Sequence, residues 1–315
     1  MTQGTTEVPA TATSAKISAK ILDGIAVRDG IMARLKPRIA KLQRPPGLAV
    51  VLVGHDPASE VYVRNKVRAC AELGFYSDKL TPPSTVTTEE LLAIIDGLNQ
   101  RDDIDGILVQ MPLPKQVDSR RVLEAIAPEK DADGFHPMNV GNLVAGRPGP
   151  RACTPAGVME LLKHYNIPVS GKRAVILGRS DIVGKPQALM LLHESATVTI
   201  CHSRTVNLAE ECKRAEILVA AIGRAGFVTA DFIAPGAIVI DVGINRVTDA
   251  AEAARFGKAE AFKKSGSVLI GDVHPVDALR VAGAFTPVPG GVGPLTIAML
   301  MANTVTLSEL RQGHS

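Results

Sequence analysis

The chain has 315 residues, of which 46% are hydrophobic and 21% charged, and its net charge is +3. That length accommodates two domains with a core in each. The charge is too small, and Lys/Arg too dispersed, for a nucleic-acid surface, and no apolar run reaches the length of a membrane span.

The four cysteines (Cys70, Cys153, Cys201, Cys212) are far apart with no C-x-x-C pair. This is neither a zinc pattern nor a disulfide framework, so a reduced, cytoplasmic setting is expected. The polar start MTQGTTEVPATATSAK (1–16) lacks the apolar core of a secretory signal and the arginines of a transit peptide. It reads as a disordered leader.

From Ile17 the pattern alternates. Residues 17–42 have helical periodicity, and LAVVLVG (48–54) is a continuous apolar run typical of a buried parallel strand. Residues 56–74 read as a helix with Ser59 as N-cap and Gly74 as stop, and 87–100 as another with a hydroxyl cap. IDGILVQMPLP (104–114) predicts a second buried strand, and 131–155 a Gly/Pro-rich loop. Then follow a helix at 157–166, a strand at 172–178, a helix from Lys185 and a strand at 196–202. A helix at 208–215, strands at 216–223 and 237–243, and a long apolar-faced helix at 295–310 complete the order. The fold class is two-domain α/β: a parallel-sheet catalytic domain (17–150 with 287–315) and a Rossmann-like nucleotide domain (151–286).

VILGRSDIVGKP (175–186) puts a glycine turn between a buried strand and a helix, where amides and dipole favour a phosphate. The spacing is G-x-x-x-x-x-G rather than G-x-G-x-x-G, so a ligand-free strand–turn–helix remains a reading of this stretch alone. The next strand ends in His202, Ser203 and Arg204 with no acid, and Arg179 lies in the turn. A ribose 2′-hydroxyl is held by a carboxylate, whereas a 2′-phosphate needs donors and positive charge. NADP is therefore favoured over NAD.

In LVGHDPASEVYVRNK, Tyr62 and Lys66 fall one turn apart on one helix face. Gln110 ends a strand, and Asp131 and Asp133 occupy the turn-rich DADGFHP. Open α/β sheets bind ligands at strand carboxyl ends, so Tyr62, Lys66 and Gln110 are expected to converge there. Singly, each has an ordinary reading: a half-buried aromatic, a solvated lysine, a backbone-capping amide, an Asx turn. No H-E-x-x-H, His/Cys pair or G-x-S-x-G is present, so neither metal nor serine-hydrolase chemistry is indicated.

The blocks VGHDPASEVYVRNKVRACAELGF, ILVQMPLP, KDADGFHPMNVGNL, CTPAGVMELL, GRSDIVGKP, TVTICHSRT, VIDVGIN, GDV and TPVPGGVGPLTIAMLMANTV occur in this order. Together they resemble the bifunctional methylenetetrahydrofolate dehydrogenase/methenyltetrahydrofolate cyclohydrolase family over roughly residues 16–312. The resemblance implies oxidation of 5,10-methylenetetrahydrofolate with NADP⁺, then hydrolysis of the methenyl product to 10-formyltetrahydrofolate in the same cleft. It implies Lys66 as the central catalytic group, Gln110 tuning it, Tyr62 stacking on the aminobenzoyl ring and Asp133 holding the pterin. Pro289, Gly290 and Gly291 would border the folate. Gly178, Arg179, Ser180, Ser203 and Ile244, with Ile182 and Gly184 of the same turn and Arg204, would hold NADP. It also implies a homodimer acting on a folate, polyglutamylated or not, with no nucleic-acid, membrane or metal partner.

Chemically, a lysine beside the methenyl cation is disfavoured as an ammonium, and the neutral amine can serve as general base. Three departures from the family pattern stand out: RACTP before the crossover helix, AIG (221–223) where threonine is common, and a long segment at 246–267. All leave the folate residues in place. An enzyme with one of the two activities, or a non-catalytic NADP- or folate-binding regulator, are the competing readings.

Overall fold

The computed structural model describes residues 19–313, so the expected leader lies outside the described residues. The chain runs β1 (Lys20–Ile21), α1 (Gly24–Ile39), β2 (Gly47–Val51), α2 (Pro57–Leu73), β3 (Tyr76–Leu80), α3 (Thr88–Gln100) and β4 (Gly106–Val109). Helices α4 (Ser119–Ala125), α5 (Pro137–Val144) and α6 (Cys153–His164) lead to β5 (Arg173–Leu177), α7 (Gly184–His193) and β6 (Thr197–Cys201). Next come α8 (Leu208–Lys213), β7 (Ile217–Ala220), β8 (Ile238–Asp241), β9 (Asn245–Val247), α9 (Ala250–Arg255) and α10 (Ala259–Ser265). The chain closes with β10 (Val268–Ile270), α11 (Pro275–Val281), β11 (Ala284–Phe285) and α12 (Val292–Arg311).

Two parallel sheets result. One has the order β3-β2-β4, and the other β1-β11-β8-β7-β5-β6. The central strands β2 and β7 and the edge strand β4 are buried throughout, in keeping with their unbroken apolar runs. β1 belongs to the second sheet, pairing Lys20 with Ala284. The start of the chain is thus shared with the nucleotide-type sheet rather than kept with the first domain.

Some expectations need correction. Helix α2 begins earlier than a Ser59 cap would allow: Asp56 is the N-cap and its carboxylate accepts from the Ser59 amide at 2.8 Å. A proline fits the first turn because its missing N–H has no acceptor there. β3 and α4 emerge where no element was expected, and α5 emerges within the expected loop. The long 246–267 segment carries α9 and α10 between the antiparallel strands β9 and β10, with a small core of Val247, Ala253, Phe256, Val268 and Ile270.

Helix α12 binds the halves together. Leu295, Leu300, Met301 and Val305 lie in a core cluster with Leu35 of α1, Leu73 of α2 and Leu161 of α6. Its far end is tied by Glu309, which accepts from the Arg38 guanidinium at 2.6 and 2.9 Å, and by Arg311, which donates to buried Asp105 at 3.3 Å.

Candidate active site

Lys66 lies one turn beyond Tyr62 on α2 and is only 8% exposed. Its ammonium donates to Gln110 Oε1 at 3.1 Å. Gln110 follows β4, and its Nε2 donates to the Met111 carbonyl at 2.7 Å, which turns the amide oxygen toward the lysine. Lys130, the other buried lysine, is a useful contrast. Its three N–H groups serve the carbonyls of Leu98, Asn99 and Arg101 at 3.2, 2.7 and 2.6 Å, closing the end of α3. Lys130 is saturated and structural. Lys66 has one acceptor among the described residues and two N–H groups left over.

The DADGF loop presents its two aspartates differently. Asp131 accepts from the amides of Gly134 and His136 at 3.0 and 2.8 Å and from Asn139 Nδ2 at 2.9 Å, so it shapes the loop. Gly134 is required at φ 75°, where a Cβ would sit 2.4 Å from the Arg151 carbonyl carbon. No donor among the described residues reaches the Asp133 carboxylate. Burial pushes Asp133 up to about 6; the Lys66 ammonium pulls it down and Asp131 adds to the rise.

Tyr62, 37% exposed, opens onto a cavity of about 580 Å³ that also reaches Pro289, Gly290, Gly291 and Ile244. Burial raises the Tyr62 hydroxyl above its ordinary value. Lys66, Gln110 and Asp133 do not line that cavity. The structure therefore separates the expected residues into an amine–amide–carboxylate group and a platform with the Pro-Gly-Gly turn, with Tyr62 between them.

The expected nucleotide residues lie at the carboxyl end of the six-stranded sheet. Gly178 directly follows β5 at φ 126°, where a Cβ would fall 2.1 Å from the Ala221 carbonyl oxygen. Gly184 opens α7, with a Cβ position 2.3 Å from the Gly178 oxygen. Only glycine allows this close strand–turn–helix approach. Ser180 Oγ accepts from the amides of Val183 and Gly184, both at 3.2 Å. Arg179 and Ile182 are exposed in the turn, and Ser203 and Arg204 are exposed after β6. Neither guanidinium has an ion-pair partner among the described residues. A glycine-bearing helix entry beside two exposed arginines suits a phosphate-bearing dinucleotide.

Three features escaped sequence reasoning. Asn303 of α12 donates to the carbonyls of Ala132 and Arg151, both at 2.9 Å, and so holds the DADGF loop from behind. Cys153 is buried near Asp133 and Lys66, and burial raises its thiol well above the ordinary value. Asp272 accepts from the amides of Ile222, Gly223 and Arg224 at 2.6, 2.9 and 2.8 Å, fixing the turn after β7. The sequence signal for Asn303 and Asp272 is their presence in the TPVPGGVGPLTIAMLMANTV and GDV blocks.

Comparison with known proteins bears directly on this arrangement. The model for the tetrahydrofolate dehydrogenase/cyclohydrolase catalytic domain matches residues 22–133, and that for the NAD(P)-binding domain of the same family matches residues 152–312. The chain belongs to the tetrahydrofolate dehydrogenase/cyclohydrolase family. The bifunctional protein FolD of Solibacter usitatus is 64% identical over 302 residues, covering 93% of this chain and 99% of that protein. The FolD of Koribacter versatilis is 60% identical, with 94% and 99% covered. Among solved structures, the FolD dehydrogenase/cyclohydrolase of Campylobacter jejuni superimposes with a TM-score of 0.85 at 43% identity, covering 93% and 100%. The Trypanosoma brucei enzyme, solved with NADP and an inhibitor, gives 0.84 at 39% identity, covering 93% and 98%.

This tetrahydrofolate dehydrogenase/cyclohydrolase is a bifunctional enzyme with an NAD(P)-binding domain. Lys66, Gln110 and Asp133 fall within the catalytic-domain match, and the glycine turn and Ile244 within the nucleotide-domain match. The nucleotide-domain match extends through α12, which the sequence reading grouped with the catalytic domain.

Proposed function

We propose that Lys66 is the central catalytic group of oxidation of 5,10-methylenetetrahydrofolate with NADP⁺ and hydrolysis of the resulting methenyl cation to 10-formyltetrahydrofolate, and that it handles the proton of the hydrolytic step. The observation carrying this is a buried lysine with, among the described residues, a single fixed acceptor, beside a carboxylate that no donor of those residues reaches. Asp133 offers that carboxylate to the adjacent N–H donors of the pterin amide edge. Tyr62 stacks on the aminobenzoyl ring, and Pro289, Gly290 and Gly291 close over the other side.

Gly178, Arg179, Ser180, Ile182, Gly184, Ser203, Arg204 and Ile244 would hold NADP⁺, which would supply the hydride acceptor for the methylene carbon. Arg179 and Arg204 favour the 2′-phosphate. In the second step water adds to the methenyl carbon while Lys66, as the neutral amine, takes its proton. The positive charge of the substrate is what disfavours the ammonium form at that moment. Opening of the carbon–N5 bond leaves the formyl group on N10, the proton passes to N5, and one proton is released to water. Gln110 keeps the amine aimed at the reacting carbon.

A homodimer working in the cytoplasm completes the reading; the four cysteines, all free and buried, accord with a reducing compartment. Sedimentation would test the dimer. For the activity, the test is absorbance with methylenetetrahydrofolate and NADP⁺ or NAD⁺ side by side, together with decay of added methenyltetrahydrofolate. Faster reduction of NADP⁺ and enzyme-dependent methenyl decay are expected. Absence of either rate in the pure protein overturns the corresponding half.

A further inference from the structure

Two departures from the family pattern, the AIG of 221–223 and the long segment at 246–267, come together at the turn that follows β7. That turn, residues 221–226, stands between two segments proposed to hold NADP⁺. On one side is the glycine turn after β5, so close that a Cβ on Gly178 would fall 2.1 Å from the Ala221 carbonyl oxygen. On the other is the chain leaving β8 toward Ile244, because β8 pairs with β7 as far as Asp241 and Ala220. All three lie at the carboxyl end of parallel strands, where a dinucleotide binds.

The long segment is rooted in the same place at both ends. Strand β9 starts at Asn245, immediately after Ile244, and β10 ends at Ile270, two residues before Asp272. The buried Asp272 carboxylate collects the amides of Ile222, Gly223 and Arg224 and also Asn245 Nδ2, the last at 3.0 Å. The Gly226 amide donates to the Gly271 carbonyl at 2.9 Å. A shift of β10 is therefore passed to the turn and to the Ile244 strand together. With these amides spent on Asp272, the turn offers a dinucleotide its shape rather than those donors.

The tip of the segment reaches the turn by a second route. Phe256, at the end of α9, is 6% exposed. Its ring fills the space beside Gly226, where a Cβ would fall 2.1 Å from the ring. Gly226 also has φ 58°, so glycine is needed there twice over. Ala225 packs against the same small core, and His274 meets the Phe256 ring edge-on at 5.3 Å. The ring is thus wedged between the turn and the start of α11.

We propose that the 246–267 segment is a buttress of the dinucleotide site and Phe256 its positioning residue. The ring holds the 221–226 turn at the spacing from Gly178 and Ile244 that NADP⁺ requires. Phe256 acts through the turn and not on a reacting atom. The proposal rests on the NADP reading above and adds the segment as a determinant of cofactor affinity.

The two activities supply an internal control, since methenyl hydrolysis consumes no dinucleotide. Phe256→Ala is expected to raise the NADP⁺ KM, and the Kd from calorimetry, by about fivefold or more. Dehydrogenase kcat at saturating NADP⁺ and the rate of methenyl decay should both stay within about twofold of the wild type. Phe256→Leu keeps an apolar side chain in the slot and should recover most of the affinity. Hydrogen exchange of the 221–226 amides should quicken in Phe256→Ala, while that of α2, which carries Lys66, stays the same. Phe262→Ala thins the same core from its partly exposed edge and should raise the NADP⁺ KM about twofold, which carries the test if Phe256→Ala does not fold. An unchanged NADP⁺ KM in the folded variant, or a parallel loss of both activities, overturns the buttress. If the wild type hydrolyses methenyltetrahydrofolate but binds no NADP⁺, the cofactor reading itself falls, and the buttress with it.

Discussion

Lys66 and Lys130 share a residue type and near-complete burial, yet their surroundings assign them opposite tasks. Lys130 spends its three donors on carbonyls, whereas Lys66 keeps two in reserve. Lys66→Ala should lower cyclohydrolase kcat by about 100-fold or more, the usual share of a positioned proton carrier. Loss of less than fivefold in methenyl decay would remove it from that role. Gln110→Ala leaves the amine in place but unaimed, so a smaller fall of about tenfold is expected, with little change in folate KM. Asp133 carries a cost that pH exposes. Burial pushes it to about 6 from an ordinary 3.8, so between those values the folded protein holds the extra proton. Stability therefore falls as pH rises through that window, and the deficit is complete above pH 6. Asp133→Asn should stabilise the protein at pH 7 by on the order of 1–2 kcal/mol, have little effect near pH 3.8, and raise folate KM. Urea unfolding at the two pH values, beside Michaelis curves, checks both signs.

At the scale of elements, glycines and caps decide where the site's parts stand. Gly178→Ala must place a Cβ 2.1 Å from the Ala221 oxygen at φ 126°. More than about 2 kcal/mol of stability and at least tenfold in NADP⁺ KM should be lost, measurable by thermal unfolding and cofactor titration. Thr87→Ala breaks a capping box in which Thr87 Oγ1 accepts from the Glu90 amide at 3.2 Å and Glu90 accepts from the Thr87 amide at 2.8 Å. It should cost about 1 kcal/mol and leave kcat unaltered, since α3 carries none of the proposed site residues.

The same scale explains what could be read in advance. β2, β4, β5, β7 and β8 announce themselves as apolar runs because both faces are covered. β3, with the sequence YSDKL, is an edge strand with mixed exposure and offers no such run. Helix α5 hides behind a proline start and an internal glycine at 141. The Lys66–Gln110 pair was legible because Gln110 follows the carboxyl end of β4 and α2, which carries Lys66, starts from the same edge of the small sheet. Asn303 was not, because it reaches Ala132 across 171 positions and no local pattern encodes that contact.

Across the whole molecule, α12 carries apolar side chains into the core shared with α1, α2 and α6. Leu300, fully buried there, should cost about 2–5 kcal/mol when replaced by alanine. Far-UV dichroism and loss of activity should then shift to lower urea together rather than splitting into two transitions. The Arg38–Glu309 pair spans 271 positions, and Asn303 grips a loop made far earlier in the chain. Closing loops of that length is a slow event in folding, and contacts this remote form late. Apart from β1, which pairs with β11, the strands of the two sheets can assemble from nearer neighbours, but the loop bearing Asp133 gains its support from Asn303 only once α12 has docked. In refolding, recovery of activity should therefore lag recovery of far-UV dichroism.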